Sequence, residues 1–337
     1  MCVGLFVRRA FQQLGHEVLT AGPSSPEVYG FSQWAEYRRN DLELPNAPVD
    51  IGTVVELART DMGWSPDVVC TVDQYDHLVI TGTAPEGIKW GHLAIENFNA
   101  EQHSRSQLRA ADFEAYFIQH DDNGRTAKVP LPVDRQGRPA EWFVFGADPE
   151  IHPLTKPGAD RDKLICQIGT HYEPRPTIWN QLRARFDGAE AMPAQWYGSN
   201  LGESASTIFG KVFSYQGMAD AYNRALCALS CSNVDFVPMR IVEAFAMGCV
   251  MLSDHVPSMV SAFGAPRRCF GHEGPTDPDG IWLAHSRDAV SMGDAAQWVR
   301  DNPDQYDAIT QRAYALTMEK WLYKHLAARV LQGLGLE

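Results

Sequence analysis

The run NVDFVPMRIVEAFAMGCVMLSD, residues 233–254, leaves few folds open. Pro238 suits a first helical position, where its missing amide proton costs nothing. Gly248 suits the far end, because glycine enters the left-handed region freely. Residues 249–252 then continue at once as an apolar strand. A helix that feeds directly into a strand without polar alternation is the repeating step of a parallel sheet covered on both faces.

The same step recurs. Residues 163–168, KLICQI, read as a buried strand, 169–175 as its carboxyl-end loop, and 176–186 as a helix with Ile178, Leu182 and Phe186 at helical spacing. Residues 194–198 suit a following strand, and 219–231 a helix with Ala221, Ala225 and Ala228 near one side. A loop around His285 follows Trp282, then helices over 295–299 and 305–318 and an amphipathic helix over 320–334.

The first half is less regular. Residues 1–7 read as a very short strand and 8–14 as a helix, so the sequence either lacks upstream residues or begins on a minimal strand. Gly15 ends that helix, 16–20 form a short strand, and the Gly-, Pro- and Tyr-rich stretch 23–48 is a surface excursion. A helix over 54–58 precedes the best strand of this half, 67–72, whose carboxyl end carries Asp73, Asp76 and His77. Further strands fit 78–80, 93–95 and 142–146. Residues 111–119 fit a helix end or a strand, and 121–130 a hairpin. The proline-spaced segment 147–158 reads as a linker, and 337 residues suit two domains.

A formal charge of −13 disfavours a broad cationic surface for nucleic acid or anionic lipid, though it leaves room for a small basic pocket. The seven cysteines are odd in number and mostly lie in apolar segments, which fits free thiols in a reducing compartment. Cys227 and Cys231 could share a helix face, but no second pair has zinc-ligand spacing. Neither a leader-like start nor a run of eighteen apolar residues occurs, so the expectation is a cytoplasmic chain without a membrane span.

Chemistry concentrates around the helix at 238. Its first-turn amides lack internal partners, and the aligned peptide dipoles make that end electropositive, a seat for a diphosphate. Arg240 does nothing for an isolated helix there but suits a forked phosphate contact; the plain alternative is a surface arginine. Glu243 can accept hydrogen bonds from both hydroxyls of a ribose, or be an exposed glutamate paired with Arg240. Asp235 either meets the sugar and supports its developing positive charge, or caps the helix.

On these residues the sequence resembles the GT-B glycosyltransferases, in particular the spore-maturation-protein-like branch. The pattern R-x-x-E-A-x-A-x-G is carried here by Arg240, Glu243, Ala244, Ala246 and Gly248. Asp235 stands where the broader retaining families place the first of two glutamates. WFVFGADPEIH, residues 142–152, resembles the interdomain link, and ICQIGTHYEPRPTIWNQL, 165–182, the opening of the donor domain. The resemblance implies an α/β fold of two Rossmann-like domains facing a cleft, 1–147 for the acceptor and 148–318 for the nucleotide sugar. A helix over 319–337 crosses back to the first. It implies a glycosyltransferase, of hexosyltransferase type, that moves a sugar from a nucleoside diphosphate (UDP favoured) to a hydroxyl-bearing small molecule, glycan or modified base. Retention is favoured, with no tightly bound cofactor and no essential metal.

Gly169 would allow close approach of the donor phosphate, Arg175 would neutralise it, and Glu243 would hold the ribose. Asp235 is the catalytic candidate on the donor side; Asp73 and His77 are the candidates on the acceptor side, where an inverting route would need a base. His92, Glu96 and Asn97 lie further along that half. A nucleotide-sugar epimerase, or an inactive binding protein of the same fold, remains the alternative. A nicotinamide dehydrogenase is disfavoured because no G-x-G-x-x-G turn joins a strand to a helix.

Overall fold

The computed structural model describes residues 3–22, 40–45, 47–73, 80–94, 110–119, 133–168, 175–186, 189–192, 215–231 and 237–336. The chain divides into two compact units. One is built on Phe145–Leu322; the other combines Cys2–Ser25 and Arg38–Val144 with Tyr323–Glu337.

The amino-terminal unit opens on a helix, Val3–Gln13, where a strand over 1–7 was expected. Phe6, Val7, Ala10 and Phe11 are its buried positions, a helical spacing that starts before residue 8. Strands β1 (Ala21–Gly22) and β2 (Leu42–Glu43) pair in parallel, so the strand lies just beyond the expected 16–20. Two Asp41 contacts to Thr20, from its amide and its hydroxyl, hold that pair together. Strand β3 (Val49–Asp50) leads into the Ile51–Met62 helix. Asp50 caps that helix by accepting from the Thr53 amide, and Gly63 ends it at φ 64°.

Strands β4 (Val68–Asp73), β6 (Lys89–Ala94), β7 (Ala115–Ile118) and β8 (Glu141–Trp142) form a four-stranded parallel sheet in that order. The short β5 (Ile80–Thr81) pairs with β3. Residues 111–119 thus resolve into a 3-10 turn, Ala110–Asp112, and a fully buried strand. The core of this sheet gathers Ile51, Trp90, Ala94, Phe113, Tyr116 and Ile118. The hairpin expected over 121–130 lies outside the described residues.

The carboxyl-terminal helix Tyr323–Gly333 completes this unit. Tyr323 stacks on Phe6 with ring centroids 4.8 Å apart. Gly91 has no side chain, and a Cβ there would stand 3.5 Å from Val330 and from Leu334; at Gly333 it would come closer, 3.2 Å from Ala115 and Phe117. Lys89 donates to the Leu334 and Gly335 carbonyls and Arg138 to that of Gly333, placing cations on the helix's electronegative end. The chain therefore returns to its first unit, as the resemblance implied.

The other unit is a six-stranded sheet, all parallel, in the order β10-β9-β11-β12-β14-β13. Its strands are β9 (Lys163–Ile168), β10 (Ala189–Met192), β11 (Ala225–Ser230), β12 (Val250–Asp254), β13 (Arg268–Phe270) and β14 (Trp282–His285). The strand expected at 194–198 lies outside the described residues, and β10 precedes it.

Residues 219–231 are not one helix. A helix runs over Tyr215–Arg224 and the chain then passes straight into β11. Alanine and leucine favour a helix on their own, but Ala225, Cys227, Ala228 and Leu229 are buried in the sheet between β9 and β12. Tertiary burial overrides propensity here, and Cys227 and Cys231 therefore share no helix face. His285 likewise closes a strand rather than sitting in a loop.

Two helices extend beyond their expected limits, Ala289–Asp301, where Asp288 caps the first turn, and Pro303–Lys320, while Arg175–Arg185 lies one residue before its expected place. A short helix over Pro257–Phe263 adds to them. Among the described residues no helix is long and apolar enough to cross a membrane.

The signature segment folds as a helix over Met239–Ala246 between Pro238 and Gly248. Pro238 stands one place earlier than expected, as the N-cap, since ψ 147° is extended although φ −64° suits proline. Gly248 adopts φ 70° and turns the chain into β12. A Cβ there would meet Leu154 and the Arg161 guanidinium at 2.9 Å. Gly248→Ala is expected to cost at least about 1–2 kcal/mol, measured as a lower urea midpoint at unchanged slope. An unchanged midpoint would show that the turn tolerates a side chain.

Candidate functional site

The Met239–Ala246 helix is buried along almost its whole length. Ile241, Val242, Ala244, Phe245 and Ala246 are all fully enclosed, and the helix packs against Pro303–Lys320 on one side and the sheet on the other. Only its first turn, at Met239 and Arg240, reaches partial exposure. Pro238 supplies no side-chain cap, and the helix's own first turn holds no acidic residue to offset its electropositive end.

Arg240 places one guanidinium nitrogen, Nη1, out of solvent with no acceptor among the described residues. Glu243, one turn on, is not an exposed residue paired with it. Its side chain is fully buried, and neither carboxylate oxygen has a hydrogen-bond donor among the described residues. Burial pushes its pKa up to about 7, with Arg240 opposing. Buried polar atoms are nearly always satisfied in native proteins. Among the described residues, two carboxylate oxygens and one guanidinium nitrogen on consecutive turns of this helix are buried without a hydrogen-bond partner.

The segment after β8, expected as linker, adds a further residue. Asp148 starts a tight turn: its carbonyl accepts from Ile151 and His152 amides, and its carboxylate accepts from the Glu150 amide. Pro149 fits the second place of such a turn. The turn returns His152, 1 % exposed, to the interior, with Nε2 3.6 Å from Glu243 Oε1. The Asp148 amide donates to His152 Nδ1 at 3.0 Å. Nδ1 must therefore carry its lone pair, and the ring proton of the neutral form sits on Nε2, facing Glu243. Burial lowers the His152 pKa to about 4, with Asp148 opposing, so the ring is neutral at neutral pH.

The D-x-x-x-H spacing was visible in the sequence. Nothing in it announced that the turn would meet a helix ninety residues away.

Other polar groups near the sheet ends bond one another. His285 Nε2 bonds the Ser230 carbonyl across the sheet, and its Nδ1 accepts from the Arg287 amide. Arg287 pairs with Asp254 at 2.6 Å. His92 lies on β6, 2.8 Å from the Thr71 hydroxyl and stacked on Phe113, which is a core histidine's environment.

Of the expected site residues, Arg240 and Glu243 are brought together on one helix. Asp73 ends β4 and Arg175 begins the Arg175–Arg185 helix, but their side chains lie outside the described residues. Gly169, Asp235 and His77 lie outside them as well, as do Asp76, Glu96 and Asn97. Among the described residues no group of three or more His, Cys, Asp or Glu is arranged to hold a metal ion.

A fold of two parallel-sheet units is shared with solved structures of low sequence identity. A sucrose-phosphate synthase from Thermosynechococcus elongatus matches with a TM-score of 0.53 at 11% identity, over 84% of this chain and 76% of that one. The architecture is GT-B. The Anabaena protein HepE, solved with UDP-glucose, gives 0.52 at 11% identity over 74% of this chain and 72% of its own. TarM gives 0.51 at 10% identity over 79% and 54%. Within the GT-B chain, residues 177–332 match the family model described as glycosyl transferase-like. No curated protein matches the chain.

Proposed function

We propose that the chain is a glycosyltransferase that uses a nucleoside-diphosphate sugar, with the donor held by the Phe145–Leu322 unit. The observation that carries this is the pair of unsatisfied buried groups on the Met239–Ala246 helix. A ribose offers two hydroxyl donors to Glu243, and a diphosphate offers anionic oxygens to Arg240 and to the first-turn amides of the helix. One nucleotide supplies both. The family match across 177–332 covers this helix and supports the same chemistry.

UDP is the favoured nucleotide, since HepE was solved with UDP-glucose. Asp235 and Gly169 are assigned to the sugar and phosphate, Arg175 to the phosphate, and Asp73 and His77 to the acceptor side. Loss of the sugar bond leaves negative charge on the departing diphosphate, which Arg240 and the helix end stabilise. Transfer of a hexose with retention, to a hydroxyl of a small-molecule, glycan or modified-base acceptor, is the reaction we assign. Cytoplasmic location and independence from a bound metal complete the reading.

Calorimetric titration with UDP, GDP and ADP tests it, and one of the three is expected to bind. Arg240→Ala should then weaken the diphosphate about tenfold to a hundredfold while leaving the nucleoside nearly unaffected. Failure of every nucleotide to bind folded protein would remove the proposal. Incubating the sugar donor without acceptor separates an epimerase, which would convert the donor itself.

A further inference from the structure

We infer that His152 is a positioning residue, whose Nε2–H aims the Glu243 carboxylate so that both its oxygens meet the vicinal hydroxyls of the nucleotide ribose. The inference rests on the donor site proposed above and adds a residue to it from outside the signature segment.

Three observations converge. Asp148 donates its amide to Nδ1 and so places the proton on Nε2. The turn that begins at Asp148 fixes the ring, with the His152 amide 2.7 Å from the Asp148 carbonyl. The Nε2 to Oε1 separation of 3.6 Å is too long for a hydrogen bond, yet it puts the protonated ring nitrogen against the carboxylate. Each carboxylate oxygen has two acceptor sites, so a contact with Nε2–H restrains the group and leaves both oxygens open to outside donors. A buried glutamate otherwise chooses among several rotamers, and each misaimed one would offer the diol a single oxygen.

UDP and 2′,3′-dideoxy-UDP distinguish this role from ordinary packing. The native protein is expected to bind UDP at least about tenfold more tightly than the dideoxy analogue. His152→Phe keeps the ring volume but removes the N–H. It should bring UDP affinity down to within about threefold of the dideoxy value, while dideoxy affinity stays at the native level. His152→Gln places an amide N–H close to the former Nε2 and should restore most of the preference.

Equal losses for both ligands would assign His152 to packing alone and overturn the inference, as would native discrimination in His152→Phe. Should that variant fail to fold, nitrogen NMR of the native imidazoles, assigned with His152→Gln, gives the answer. The expected result is an Nε2–H tautomer whose resonance moves with UDP and not with the dideoxy analogue; an Nδ1–H tautomer overturns the inference. If the native protein binds no nucleotide, the donor site itself fails and this inference falls with it. If it binds UDP and the analogue equally, the donor site stands and the positioning role is lost.

Discussion

Glu243→Gln is expected to make the protein more stable at pH 8 while stripping it of nucleotide affinity. The Glu243 pKa rises from 4.5 to about 7 on burial, so the folded state holds a proton that the unfolded chain has already released. Stability conferred by the neutral form is complete below about 4.5 and is lost as pH climbs through about 7. At pH 8 the native fold therefore carries an unwelcome buried charge of up to about 3 kcal/mol.

Glutamine keeps the shape without the charge, but its amide protons also need partners, which leaves a net gain of about 1–3 kcal/mol. Urea unfolding at pH 8 and pH 5 measures it, and the gain should shrink at the lower pH. UDP affinity should fall about tenfold to a hundredfold, since a charged acceptor of two hydroxyls is replaced by a neutral one. A variant less stable than the native protein at pH 8, or a gain of equal size at both pH values, would show that Glu243 is not a strained carboxylate. The trade of stability for a site is a familiar one.

The second large effect is expected at Arg161. This guanidinium has no carboxylate partner among those described; it donates instead to four carbonyls, those of Tyr222, Ala225, Lys156 and Met247, and to Cys249 Sγ. Those acceptors belong to the end of the Tyr215–Arg224 helix, the start of β11, the linker turn and the end of the signature helix. A single side chain thus satisfies backbone groups from four segments that have no common hydrogen-bond ladder.

Arg161→Met retains the aliphatic stem, removes the donor from the Lys156 and Met247 carbonyls, and leaves those of Tyr222 and Ala225 to share the Cys249 thiol. Each unsatisfied buried acceptor costs on the order of 1–3 kcal/mol, with water recovering part of it. A total loss of at least about 3 kcal/mol follows, or roughly 6–12 °C in Tm for a unit of this size. Arg161→Lys should recover only part, because three donors on one nitrogen cannot fork to four carbonyls. A melting temperature for Arg161→Met within a degree or two of native would overturn this account.

The sequence made the Phe145–Leu322 sheet partly legible for a physical reason. β9 and β12 are continuous apolar runs, and Pro238 and Gly248 bracket the helix between them with residues of restricted and permissive backbone. β11 was misread because ALCALS carries helix-favouring residues in a place that only its neighbours make a strand. The Val3–Gln13 helix was missed at its start because two apolar turns look like a short strand in isolation.

At the site, residue type and spacing were enough to select Arg240 and Glu243. Neither the burial of Glu243 nor its neighbour His152 was readable, because both depend on a contact between positions 152 and 243. Local pattern carries no information about a pairing at that separation.

The closure of the amino-terminal sheet by Tyr323–Gly333 constrains how the chain can be made. During translation, Phe6, Gly91, Ala115 and Phe117 leave the ribosome long before the helix that covers them. For most of synthesis that apolar surface must stay bare or be sheltered by a chaperone, while the Phe145–Leu322 unit has all its strands and can fold as it emerges. The half that is translated first is thus the half that matures last.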